Sequence, residues 1–281
     1  MHFLGQLTTQ LSAFKKPLLP GMDIKIQLHR VNDAVALFTG PSANMNQPEA
    51  EAWTANPNYT YHVEIEHCSL FLHRLQISDK LYSQHKAKLS KQVARYYSYV
   101  PQSSFMNVSP GVLDFTSQAL FPPSVMPVKL FLVFFKNSTL QGSYTENVQC
   151  YHRPPNLKSI SIDLDGQPLS TFRNAYFQDL DKAALDFFYL SLFQTLQTEW
   201  SNFGPPVTRE KFLSDFFVCS WSTTTSGVER QRLPLVRTGT LTLRVQFKTP
   251  SEENLTALVF GTCPMLLTVS GNYDVETSLR I

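Results

Sequence analysis

The sequence predicts a mainly β chain: an antiparallel, eight-stranded jelly-roll sandwich with two or three inserted helices. Three observations predict it. Apolar and polar residues alternate with period two in several short runs. Only three stretches show helical spacing, and Pro-Pro pairs and polar residues separate the runs as loops do. Many short strands with long connections favour a sandwich or jelly roll.

The first predicted strands lie in the amino-terminal third. In residues 23–31 (DIKIQLHRV) and 61–67 (YHVEIEH), every second residue is apolar over most of the run. After residue 67 the apolar phase shifts by one, to Cys68, Leu70 and Leu72. A β-bulge produces a shift of this kind, so we expect one strand with a bulge here.

Further strands are predicted in the middle and the carboxy-terminal part. Residues 128–135 are apolar almost throughout, as in a strand that is buried on both faces. Residues 159–166 (SISIDLDG) and 240–248 (TLTLRVQFK) alternate, and the first of these runs ends at an Asp-Gly turn. Two more strands are predicted at 255–260 and 265–269.

Three helices are predicted. Residues 78–96 begin with an N-cap residue, Ser78, and an acid in the first turn. Residues 183–200 are apolar around most of the helix, so we expect that helix to be buried. Residues 208–217 form a short third helix. No repeat, linker or composition break divides the chain, which predicts an N-terminal arm at 1–14 and a single jelly-roll domain at 15–281.

Composition limits the class of function. Of the 281 residues 43% are hydrophobic, enough for a sizeable core, and only 16% are charged. A low charge with 21 Phe and 11 Tyr suggests that other molecules cover part of the surface. A net charge of +2 does not indicate a nucleic-acid binder, and Lys15-Lys16 alone would bind weakly, so weak or no direct nucleic-acid binding is expected. No run reaches the roughly 20 apolar residues of a membrane span.

The cysteines and the start of the chain indicate a reducing compartment. The four cysteines are far apart, with no Cys-x-x-Cys pair, so we expect free thiols and no zinc cluster. The first residues lack the apolar core of a signal peptide, which predicts a protein that is not secreted. We therefore interpret the four glycosylation sequons as chance; they lie at Asn58, Asn107, Asn137 and Asn254.

Histidines near the second predicted strand could suggest a metal site. His62, His67, Cys68 and His73 are close in sequence, but His62 and His67 lie on opposite faces of a strand. Zinc needs three or four ligands that converge on one point. A cupin-type site built from His62, Glu64 and His67 is excluded because His67 would lie on the opposite face of the strand from the other two. We predict no metal and no cofactor.

No catalytic motif is evident. Asp163 and Asp165 share one face of a predicted strand, as a carboxylate pair could, but a solvated face that leads into a turn is the interpretation we favour. His85 lacks a partner motif, and the serine-rich residues 221–227 (WSTTTSG) are predicted to be a loop. Phosphate-binding loops, nucleophile elbows and dinucleotide fingerprints do not occur. We predict no catalytic residues and no enzyme activity.

One ordered series of segments carries a resemblance. It starts at residues 15–28 (KKPLLPGMDIKIQL), continues through 61–78 and 120–135 to 141–166, and ends near residue 270. This colinear series resembles the C-terminal jelly roll of the major capsid proteins of Polinton/Maverick elements and adintoviruses, in the double jelly-roll lineage. The matching motif residues are Pro17, Asp23, Gly142, Asn147, Tyr151, Asp165, Gly166, Tyr189, Phe193 and Gly239.

The resemblance implies a structural virion protein, either a capsomer-forming major capsid subunit or its C-terminal half, that self-associates into an icosahedral shell. Implied partners are further copies in a trimeric capsomer, the N-terminal jelly roll of the same protein if this is a fragment, and penton and minor capsid proteins. Implied assembly is in the host nucleus or cytoplasm. The polar loops at 41–57 and 220–231 are expected on the outer or lateral surface of a capsomer.

This chain departs from the family in three respects. Asn147-Val148-Gln149 stands where the family has Asn-Pro-Phe, and residues 219–227 (CSWSTTTSG) replace the family's polar loop with Pro-Asp after the Thr-Arg-Glu helix. About 14 residues precede the match where the family has a whole jelly roll. A truncated or host-retained relative that binds protein or glycan therefore remains an alternative, and assembly distinguishes it from a capsid subunit.

Overall fold

A computed structural model describes residues 17–19, 22–29, 64–141, 151–154, 156–169, 182–196, 207–223 and 238–279. The strands in these residues are β1 (Ala94–Val108), β2 (Asp114–Thr116), β3 (Lys129–Lys136), β4 (Leu157–Leu164), β5 (Gln167–Pro168), β6 (Cys219–Ser222), β7 (Leu241–Phe247), β8 (Leu255–Val269) and β9 (Val275–Ser278). The helices are α1 (Asp79–Leu89), α2 (Asn137–Gln141), α3 (Lys182–Leu196) and α4 (Arg209–Ser214).

The strands form two antiparallel sheets. The five-stranded sheet has the order β1-β8-β3-β6, with β9 also paired to β8, and the four-stranded sheet has the order β2-β7-β4-β5. Placing strands 1, 8, 3 and 6 in one sheet and 2, 7, 4 and 5 in the other is the arrangement of a jelly roll. The predicted mainly β, antiparallel jelly-roll class is therefore confirmed, and β9 lies beyond the eight jelly-roll strands.

The core lies between the two sheets and beneath α3 and α4. Phe134, Phe212 and Phe217 are the largest fully buried side chains. Phe188 of α3 packs edge-to-face on Trp221 of β6, with ring centroids 5.8 Å apart. The helices therefore complete the hydrophobic core at the β6 side.

The strands predicted at 240–248 and 128–135 are confirmed as β7 and β3. Side chains of β7 alternate between buried and more exposed, from Leu241 to Phe247. In β3, Leu132 and Phe134 face the main core, while Val133 and Phe135 pack in a separate cluster with residues from α2 and from β8. The prediction of a strand buried on both faces is thus confirmed for β3.

Two predicted strands are wrong in the part that the structure describes. Residues 22–29 and 64–78 form no strand there, and the predicted bulge is not formed; residues 61–63 lie outside the described part. Ile24 is 48% exposed and Phe71 is 83% exposed. Alternation produces a strand only where a partner edge is available, and all eight jelly-roll strands already lie between residues 94 and 269.

The region after α1 is also corrected. Helix α1 follows the predicted N-cap, Ser78, but ends at Leu89, where the sequence predicted a helix to residue 96. Residues 94–108 form β1, which pairs with β8 over fifteen consecutive residues. The strands predicted at 255–260 and 265–269 are one strand, because β1 supports the residues between them.

The two later helices differ from prediction mainly at their ends. Helix α4 ends at Ser214, three residues before the predicted end at 217. The expectation that the 183–200 helix is buried holds only for one side, because Leu190 and Leu196 of α3 are exposed. Within the described residues, no helix combines the length and hydropathy that crossing a membrane requires.

The predicted loop at 221–227 is wrong at its start. Trp221 and Ser222 belong to β6 and pair with Leu130 and Lys129 of β3. Ser220 and Trp221 are buried, so the described start of the 220–231 segment is not the surface loop that was expected. The arm predicted at 1–14 and the loop predicted at 41–57 lie outside the described residues.

Candidate association surface

Three motif residues meet at one turn. Asp165 and Gly166 follow β4 with φ angles of 50° and 80°, the left-handed region that glycine adopts at little cost. The Asp165 carboxylate accepts a hydrogen bond from the Thr240 amide at 2.8 Å, and the Asp165 amide donates to the Thr240 carbonyl at 2.9 Å. Gly239 lies so close that a Cβ atom there would be 2.6 Å from Leu164 Cδ1. These residues hold the turn against the start of β7.

Two motif aromatics connect α3 to α4. The Tyr189 ring packs on Phe193 and Phe212, with centroid distances of 4.9 and 5.4 Å. The Tyr189 hydroxyl donates to the Val207 carbonyl at 3.2 Å. A third motif aromatic, Tyr151, packs in the cluster on the outer side of β3. All three positions therefore have packing roles.

The remaining motif residues do not join these clusters. The Pro17 carbonyl accepts a hydrogen bond from the Tyr96 hydroxyl at 3.3 Å, and burial raises the pKa of Tyr96 above its usual 10.0. Asp23 is exposed in residues 22–29, which form neither a helix nor a strand. Gly142 and Asn147 lie outside the described residues.

The structure does not assemble the histidine cluster. The described residues contain no group of three or more His, Cys, Asp or Glu side chains that could hold a metal ion. His67, Cys68 and His73 are exposed, and the His67 ring hydrogen-bonds the Ser69 hydroxyl at 2.8 Å. His62 lies outside the described part.

The prediction that Asp163 faces solvent is wrong. Its side chain is 2% exposed, so the expected solvated face is wrong at this position. Arg244 of the neighbouring β7 places Nε 2.6 Å from Asp163 Oδ2, and the Ser161 hydroxyl donates to Oδ1 at 3.1 Å. Asp163 therefore pairs with a cation across the sheet, while Asp165 binds the backbone of its own turn.

The described cysteines are free, as expected, and two of them are buried. Burial raises the pKa of the Cys263 thiol to about 11 and that of Cys219 well above its usual value. Both thiols stay protonated near neutral pH and are unreactive for that reason. Cys68 is exposed.

An open groove lies at the edge of the four-stranded sheet. It has a volume of ≈ 450 Å³ and is lined by Asp114, Lys158, Gln246 and Lys248, with Leu113 and Phe247. Small-molecule sites bury most of their ligand among apolar walls. This groove is open to solvent and mixes both signs of charge, so it has no such geometry.

Large apolar side chains are exposed on the outer side of the five-stranded sheet. Tyr97, Tyr99 and Phe105 of β1 are 47%, 41% and 64% exposed, and Phe260 of β8 is 39% exposed. Phe260 pairs with Ser103, which places it on the same side as the three β1 residues. We call these four residues the aromatic face.

Among the described strands, β8 is the one that pairs with β1, which places β1 at the end of its sheet. Natural edge strands are usually protected by charges, bulges or a covering element. Residues 96–108 contain no charged residue, and their pairing with β8 has no bulge. Pro101 is the one residue there that suits an edge.

Residues 22–29 and 64–78, which we call the amino-terminal segments, also expose apolar side chains. The values in the 64–78 segment are 63% for Ile65, 51% for Leu70, 83% for Phe71, 62% for Leu72 and 72% for Leu75. Contiguous apolar exposure of this kind marks a surface that another molecule covers. The described residues thus present surfaces suited to association.

Comparison with known proteins found similar solved structures. No family model matches the sequence, and no curated protein matches it. The mavirus major capsid protein has 10% identity and a TM-score of 0.38, covering 66% of this chain and 41% of that one. A chain of the Sputnik virophage structure has 11% identity and a TM-score of 0.41, covering 66% and 38%.

A third similar structure is PBCV-1 VP54 fitted into a reconstruction of the virophage Sputnik. It has 12% identity and a TM-score of 0.38, covering 70% of this chain and 54% of that one. This chain therefore spans about two fifths to one half of the chains it matches. The jelly-roll assignment itself rests on the strand order of the two sheets.

Proposed function

We propose that this chain is a structural virion protein that acts by associating with copies of itself in a capsid. The observation that supports the proposal is the apolar exposure of a jelly roll whose core is already filled. Interface centres are enriched in aromatic residues and depleted in charge, and the aromatic face has this composition. The mechanism of such a protein is symmetric association of surfaces.

The aromatic face is too small to stabilise an assembly by itself. Burying a whole large apolar side chain contributes about 1.5–3 kcal/mol. The four side chains are 39–64% exposed, so covering them contributes about 1 kcal/mol each, or about 4 kcal/mol in total. Association costs about 4–15 kcal/mol in lost freedom. A stable capsomer therefore also needs the amino-terminal segments or the exposed side of α3.

The amino-terminal segments could pair in a second sheet. Residues 22–29 alternate as a strand with one apolar face does, and residues 64–77 alternate with a shift of phase after His67, yet the eight jelly-roll strands lie elsewhere. The second segment leads directly into the N-cap of α1, so a partner of that segment would lie beside this helix. The N-terminal jelly roll of a double jelly-roll protein is the partner that we propose for both segments.

A trimeric capsomer, penton and minor capsid partners, and assembly in the host nucleus or cytoplasm belong to the same proposal. They follow from the resemblance of the motif series to capsid proteins of Polinton/Maverick elements and adintoviruses. A closed ring of three subunits would cover the same patch on each copy.

The test is the molar mass by light scattering over a concentration series. The wild-type chain is expected to form trimers or larger particles as its concentration rises. Phe105→Glu places a charge in the aromatic face and should raise the dissociation constant at least about tenfold. Gln118→Glu, which adds the same charge at an exposed bend, should leave the dissociation constant unchanged. A wild-type monomer at every concentration would contradict self-association of this chain.

A further inference from the structure

The basic residues of the chain are concentrated in one short region. Residues 79–95 contain five Lys or Arg and one Asp, a net charge of +4. The whole chain has a net charge of +2, so the rest of it is acidic overall at −2. The low total charge, from which weak nucleic-acid binding was expected, thus conceals a local excess of cations.

The fold displays this region to solvent. It comprises α1, the turn after it and the first residues of β1, and Leu89 is the one residue of α1 that is buried. At 100° per residue, Lys80, Gln84 and Lys88 fall within an arc of about 80° on the side opposite Leu89. Lys80 and Lys88 are about 12 Å apart along the helix axis. Lys91 and Arg95, also exposed, continue the basic surface beyond the helix.

The five cations are available for a ligand. The ion pairs formed among the described residues use Lys136, His152, Arg209 and Arg244, and none of the five takes part. All five side chains are exposed. At 100° per residue Lys86 lies about 160° around the helix from the centre of that arc, so we call the other four, Lys80, Lys88, Lys91 and Arg95, the basic surface.

A purely structural role explains only two of these residues. Cations in the last turn of a helix stabilise its dipole, which accounts for Lys86 and Lys88. Lys80 is in the first turn, where the positive end of the dipole disfavours a cation. Lys91 and Arg95 lie outside the helix. The excess charge therefore needs a further reason.

We propose that the basic surface binds the phosphate backbone of a nucleic acid. Phosphates recur every few ångströms along a strand, so the distance of about 12 Å from Lys80 to Lys88 spans several of them. A lipid surface fits less well, because an interfacial helix needs an extensive apolar face. The side of α1 opposite Leu89 instead carries Lys80, Gln84 and Lys88. The proposal holds for the monomer and does not depend on capsid assembly.

Counterion release sets the expected size of the effect. With the four cations of the basic surface on a single strand, the slope of log K against log salt is about −2.8. Neutralising three of them should make the slope shallower by about 2 and weaken binding about 100-fold at 0.1 M salt. Contacts without base readout predict the same affinity for different sequences.

The experiment measures anisotropy of a fluorescent 30-nucleotide single-stranded DNA from about 50 to 300 mM salt, a range in which phosphate contacts are strongly salt-dependent. The full chain is used at concentrations where light scattering finds one mass. The test variant replaces Lys80, Lys88 and Lys91 with Gln. The control variant makes the same change at three exposed lysines elsewhere, Lys25, Lys211 and Lys248. Urea midpoints establish that both variants fold.

The expected result is a shallower slope and an approximately 100-fold loss for the test variant, with the control within about twofold of wild type. Equal losses in both variants would show a general charge effect and overturn the proposal. Absence of wild-type binding at the lowest salt would also overturn it. A parallel assay uses vesicles of phosphatidylserine and phosphatidylcholine; binding to vesicles but not to DNA would assign the basic surface to membranes instead.

Discussion

Two glycines at one turn are expected to resist substitution for different physical reasons. Gly166 has a φ of +80°, and no atom lies within 4 Å of the place where a Cβ would stand. At Gly239 a Cβ would meet Leu164 Cδ1 at 2.6 Å and Asp165 Oδ2 at 2.7 Å. Gly166→Ala therefore tests backbone strain alone, and Gly239→Ala tests packing alone.

The two losses have different sources. Left-handed strain at Ala costs about 1–2 kcal/mol, and the lower entropy of the unfolded chain offsets about 0.4–1 kcal/mol. Gly166→Ala should therefore lower the free energy of unfolding by about 1 kcal/mol. The atoms that a Cβ at Gly239 would meet are the ends of the Leu164 and Asp165 side chains, which can rotate away, so overpacking there stays near its lower limit of about 1 kcal/mol. Moving the Asp165 carboxylate weakens its bond to the Thr240 amide by about 1 kcal/mol, and the same unfolded-chain offset applies, so Gly239→Ala should also lower the free energy of unfolding by about 1 kcal/mol.

Urea denaturation of the single and double variants measures these losses. Asp165→Gly removes the carboxylate and keeps a residue that tolerates positive φ. In that background Gly239→Ala should be milder by about 1 kcal/mol, while Gly166→Ala should change by less than about 0.5 kcal/mol. Absence of coupling between Gly239 and Asp165, or coupling of the same size between Gly166 and Asp165, would refute the reasoning.

Three further predictions concern buried groups. Phe134→Ala should lower the free energy of unfolding by about 3–5 kcal/mol in urea titration, and a loss below 1 would contradict its burial. Arg244→Met should lower the free energy of unfolding by about 2 kcal/mol, which is less than the loss at a fully buried ion pair because Arg244 is half exposed. Adding Asp163→Asn should restore part of this free energy. Iodoacetamide at about pH 8 should label Cys68 and spare Cys263 until unfolding. The Cys263 thiol ionises at a lower pH in the unfolded chain than in the folded one. The free energy of unfolding should therefore fall as pH rises from 9.0 to about 11, and Cys263→Ser should abolish this fall.

What the sequence determined by itself is local. The alternation of residues 240–248 predicts β7, and the Asp-Gly pair predicts the turn after β4, because side-chain period and turn conformation depend on adjacent residues. The sequence also predicts the helix starts at Ser78 and Thr208, because an N-cap side chain hydrogen-bonds the backbone of its own first turn. The motif turn, including its closing strand, could therefore be predicted from the sequence.

Only the tertiary structure decided which segments obtain partners. Residues 94–108 have a weak strand pattern but become β1, because β8 supplies fifteen paired positions. Residues 22–29 have a clear strand pattern but form no strand in the described fold, since the jelly roll is complete without them. Asp163 is buried because β7 places Arg244 beside it. Pairing is a long-range interaction, so local alternation predicts which residues could form a strand but not which edge will accept them.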